Sequence, residues 1–210
     1  MSNYLVIATV TTALAQIIRR SVQSAIDGSD VVIGRPDPNS TPVHRVHLFL
    51  YQTQLNDSIR SNDSSTSVDG GLVTRPRMAI DLNYLLTFYG SENQLESQRM
   101  LGAVMRDLYS YPVLTKPIIQ NAISSQSFLT NSNLADTMEN IIVTLLPISL
   151  KEMSKLWSIF FQTPYTLSVI YQASVIMIES GDPIKQSLPV SDEIKIRSDV
   201  LIKPFPNIKK

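Results

Sequence analysis

The chain has 210 residues, which suits one α/β domain with a self-sufficient core and does not require a second. Its 18 basic residues balance 18 acidic ones, so there is no net field to gather nucleic acid or an anionic membrane, and neither is expected as a partner. The absence of cysteine removes disulfides, thiolate zinc sites and thiol nucleophiles together.

Val6, Val10, Ala13, Leu14, Ile17, Ile18, Val22 and Ile26 recur at helical spacing, which predicts an opening amphipathic helix capped by Ser2 or Asn3 and ended near Gly28. This stretch lacks the order of basic flank, apolar run and small-residue cleavage site of a secretory signal, so synthesis in the cytoplasm without Sec export is expected. Val31 to Ile33 is a short strand-like run, and three prolines between Arg35 and Pro42 make the next stretch a loop. Val43 to Gln52 alternates with large side chains on both faces, the pattern of a strand covered on both sides.

From Asn56 to Gly71 the chain is almost entirely Asn, Asp, Ser, Thr and Gly, too poor in apolar surface to offset ordering, and reads as the mobile loop of a long hairpin. Met78 to Tyr89 follows as a central strand, with Ile80, Leu82, Tyr84, Leu86 and Phe88 on one face and Asp81, Asn83, Leu85, Thr87 and Tyr89 on the other. A second amphipathic helix carries Leu95, Leu101, Val104, Met105 and Leu108, and a short third one from Thr115 holds Pro117 in its first turn. Glu139 to Leu146 reads as a strand, Ser149 with Glu152 spells a capping box for a short helix through Trp157 and Phe161, and Tyr165 to Ile178 alternates again. The apolar runs fall short of the roughly 20 residues of a membrane helix. The remaining segment to Lys210, with four prolines and two strand-like runs, reads as an extended arm. The expectation is therefore an α/β (α+β) domain over 1–180, a mixed central sheet flanked by helices, and an arm over 181–210.

Candidate chemistry is thin. His44 and His47, placed on one strand, would point to opposite faces and not converge on a metal. No Gly-x-Ser-x-Gly elbow accompanies the serines of 61–67, and Asp69-Gly70-Gly71 has no following helix and lysine to make a phosphate cradle. Asp81 in an apolar strand invites a hydrolase reading, but pairing with a basic neighbour such as Arg77 explains it more simply. Glu92 with Glu96, and Asp136 with Glu139, read as acid pairs on solvated faces. Trp157, Phe160 and Phe161 read as packing against a sheet or a neighbouring subunit rather than as a ligand platform. No catalytic residue, cofactor or metal site is expected.

Four segments carry a resemblance: LFLYQTQLNDSIRSND (48–63), RPRMAIDLNYLLTFYG (75–90), QRMLGAVMRDLYSYPVLT (98–115) and SLKEMSKLWSIFFQTPYTLSVIYQASVIMIES (149–180). In order and spacing, from about Ile7 to about Ser180, they resemble the N-terminal domain family of the cap proteins of extracellular contractile injection systems. The resemblance implies a fold like that of phage tail terminators and a structural subunit. Such a subunit forms a ring, hexameric in the family, on the end of the inner tube away from the baseplate, where it halts tube growth and engages the last sheath layer. Its implied partners are copies of itself, the tube protein and the sheath protein, within a particle that is released or stays in or on the cell. An adaptor or connector of the same particle is the alternative. The contact residues expected are Asn56, Arg60, Asp63 and Asp69 of the polar loop, Trp157, and Ile194, Ile196, Val200 and Ile202 of the arm, whose strand-like runs could add to another sheet edge.

Overall fold

The computed structural model describes residues 4–56, 77–136, 140–161 and 163–179. The expected hairpin loop and arm, and with them Arg60, Asp63, Asp69, Ile194, Ile196, Val200 and Ile202, lie outside the described residues.

Helix α1, Val6–Ala25, is the centre of one layer, with Val6, Val10, Ala13, Leu14, Ile18 and Val22 all buried. It begins with Leu5 in the cap position and no side-chain cap, rather than with Ser2 or Asn3: burial of Leu5 and Val6 fixes the first turn instead. Three of its polar residues are buried too, and each solves its own hydrogen bonding. Thr9, Thr12 and Ser21 donate to the carbonyls of Leu5, Ala8 and Ile17, one turn back. Thr11 does the same with Ile7, and its hydroxyl also lies 2.9 Å from that of Tyr84, a fully buried phenol whose ionisation burial pushes far up.

Among the described residues six strands form one mixed sheet, in the order β1-β2-β3-β6-β5-β4. They are β1 Asp30–Ile33, β2 Arg45–Leu55, β3 Arg77–Tyr89, β4 Val113–Leu114, β5 Ile141–Leu145 and β6 Ser168–Glu179. Only β1 and β2 run parallel; the other neighbours are antiparallel. Register shifts at Leu50/Gln52 and Ile80/Leu82 mark bulge-like irregularities in the long strands. Helices α2, Glu96–Ser110, and α3, Lys116–Ser125, pack beside α1, and their buried Met100, Val104, Leu108, Ile119 and Ala122 join Ile80, Leu82, Tyr84, Leu86 and Phe88 in the main core. The alternation of β3 thus divides between two layers, since Leu85 belongs to a separate cluster on the opposite face.

β2 is buried on both faces only over Arg45 to Leu48 and becomes exposed over Gln52 to Leu55. His44 precedes this strand instead of lying in it, which removes the premise of the opposite-faces argument. Glu96 is a second correction. It is 5% exposed, not solvated, because its carboxylate turns inward to accept the Ser91 backbone N–H at 2.6 Å and lies 2.7 Å from His44 Nδ1. That N–H holds the Glu96 carboxyl below its usual range.

Candidate assembly surface

The second face of the sheet carries the residues with no evident role in the main core, and it divides into an apolar and a polar half. Over the apolar half lies α4, Leu150–Trp157, opened by the expected capping box: Ser149 Oγ accepts the Glu152 N–H, and the Glu152 carboxylate accepts the Ser149 N–H. Met153, Trp157 and Phe160 pack on Leu85 and Ile170, with Phe49, Tyr51, Leu146, Ile148 and Leu156 at the margin. Burial, then the Glu152 carboxylate, pushes the Tyr51 hydroxyl up.

Trp157 is 7% exposed and meets Phe160 and Tyr165 edge-on, at 5.6 and 5.3 Å between ring centres. Within this chain the indole is therefore a packing residue. The exposed groups are its neighbours along the chain: Phe161 is 85% exposed, Leu150 82%, and Ile159 and Tyr165 61% each. Isolated exposed apolar side chains are ordinary, but four of them in or just beyond one short helix make this segment a candidate contact surface. Periodicity could not separate Phe160 from Phe161; the one turns in and the other out because the helix has already ended at Trp157.

The polar half lies where β2 loses its cover. Gln172 Nε2 donates to Asn83 Oδ1 at 3.2 Å, and Asn83 Nδ2 donates to Gln52 Oε1 at 3.3 Å, an amide ladder across β6, β3 and β2. Beyond it, Asn56 donates from Nδ2 to both oxygens of Asp81, at 3.0 and 3.1 Å, and from its backbone N–H to the Ala79 carbonyl. The fold supplies Asp81 with an amide partner that spacing did not suggest; the side chain of Arg77, the basic neighbour expected, lies outside the described residues. Asn56 is the last described residue before the 57–76 segment.

Among the described residues the sheet ends in two edges, β1 and the two-residue β4. An edge strand offers unpaired backbone groups to another chain. Among the described residues no group of three or more His, Cys, Asp or Glu side chains could hold a metal ion, and no described helix is long and apolar enough to cross a membrane. The features this face and the sheet edges offer are exposed apolar residues at α4, an amide ladder and strand edges.

The Pvc16 N-terminal domain family model matches residues 9–192. Among solved structures, the chain is similar to a sheath/tube terminator of an extracellular contractile injection system, PVC, seen by cryo-EM in the extended state. The two share 15% identity and superpose with a TM-score of 0.59 over 97% of this chain, which spans 63% of the other's length. Comparison with curated proteins finds no match.

Proposed function

The chain belongs to the Pvc16 N-terminal domain family, and from that premise we propose that it is a structural cap of a phage-tail-like contractile injection particle. It forms a ring, six-fold as in the resemblance, on the end of the inner tube distal to the baseplate, and engages the last sheath layer there. It does no catalysis. The observation that carries this reading is the agreement of the fold, over 97% of the chain, with a sheath/tube terminator.

Physically, a growing tube presents a ring of surfaces that template the next ring. A cap covers them with one face and offers no equivalent on the other, so growth stops because its template is gone. Residues 1–180 form the ring body in this account, and 181–210 the arm. The arm's Ile194, Ile196, Val200 and Ile202 would add to a strand edge of sheath or neighbour, while Asn56, Arg60, Asp63 and Asp69 meet tube or neighbour, and Trp157 lies with the exposed apolar residues at α4 at a subunit contact.

Polymerising the tube protein with and without this chain tests the reading. Added chain is expected to shorten the tubes in proportion to its concentration and to label one end only. Unchanged lengths, or label spread along the walls, would exclude a cap.

A further inference from the structure

Four neutral acceptors hold a buried cation beneath the loop that joins β1 to β2. Arg45 is 2% exposed. Its Nη2 donates to the Asp37 carbonyl at 2.6 Å, and Nη1 to the carbonyls of Pro42 and Val43 at 3.0 and 3.2 Å. Nε donates to His47 Nε2 at 3.1 Å, and the guanidinium carbon sits 4.3 Å from the centre of the Tyr89 ring. One side chain thus ties the 35–42 loop to the strand beneath it.

The weak point is the fourth acceptor. A ring nitrogen that accepts from a guanidinium must be unprotonated. His47 is itself 1% exposed and meets Tyr89 edge-on at 5.3 Å, so little water reaches it to screen a second charge. We propose that Arg45 and His47 form an acid-sensitive clasp: protonating His47 removes the acceptor for Nε–H, sets two cations side by side, releases the 35–42 loop and loosens the edge strand β1.

The other groups facing His47 do not reverse this. Burial, then the Arg45 charge, holds its protonation below the ordinary histidine range, while the Arg35 and Asp37 carbonyls and the Asp37 carboxylate pull the other way and lose. The closed clasp binds fewer protons than the open one. Closure is therefore fully favoured above about pH 6.5 and weakens as pH falls from there to the ring's depressed midpoint. Asp37 and Glu96, both held low by backbone N–H groups, of Asn39 and Ser91, change charge below that window.

The chain has two histidines, so both rings can be followed separately by NMR. The paired readout is amide protection in β1 and just after it, at Asp30 and Gly34, whose N–H groups donate to the His44 and Leu48 carbonyls. In the full chain His47 is expected to titrate below about 6.5, and the opening equilibrium to rise by about tenfold for each unit of that depression. The same rise is expected in His44→Asn, which removes the neighbouring histidine. In His47→Gln, whose amide oxygen accepts from Arg45 at any pH, protection should not change with pH. A His47 midpoint at or above the ordinary value, or an equal loss of protection in His47→Gln, overturns the clasp. Should that variant fail to fold, the full chain decides alone: loss of protection must share the midpoint of His47, and a mismatch overturns the proposal.

Discussion

A methyl group added at Gly90 would stand 2.8 Å from Glu96 Cβ and 3.1 Å from its Oε2. Neither can yield freely, because the Glu96 carboxylate is fixed by the Ser91 N–H and His44. Gly90→Ala should cost about 1–3 kcal/mol in urea unfolding, as overpacking does. An unchanged unfolding midpoint would contradict the close approach. At this scale the sequence was only half legible. Gly90 marked the end of a strand, but the reason it must be glycine lies across the turn in Glu96, which spacing alone assigned to a solvated acid pair. Asp81 is a similar case: its apolar strand announced that it needed a partner, and only the tertiary fold brings Asn56 to it.

Elements with enough residues to show a period were legible, and short ones were not. α1 and β3 emerged from the sequence close to their observed extents, because each commits a whole face to a buried layer. The two residues of β4 cannot display a period at all, and they exist as a strand only because β5 lies beside them. α4 was announced by its capping box, yet its two aromatic roles were merged. Trp157→Ala, which empties a packed site, should cost about 3–5 kcal/mol in stability. Phe161→Asp, at a residue 85% exposed, should leave stability within about 0.5 kcal/mol while weakening ring formation. Calorimetry and native mass, measured on both variants, separate the effects; a Phe161→Asp chain that assembles as well as the parent would remove this segment from the proposed subunit contact.

At the scale of the whole molecule, composition closed off more than it identified. Charge balance and the lack of cysteine excluded chemistries, and the scarcity of histidine narrowed them further. The four sequence blocks carried the family assignment, and the sheet with its helices bears out the expected fold. Ring order was not legible because a ring's symmetry depends on surfaces that meet between copies, which one sequence does not display. If the chain caps a tube, it must do so as a ring. Native mass of the full chain, alone and with its tube protein at low and physiological salt, tests it most directly. The expected result is a species near six times the 23.4 kDa subunit mass, formed alone or once tube protein is added. A strict monomer that ignores tube protein in every condition would contradict it.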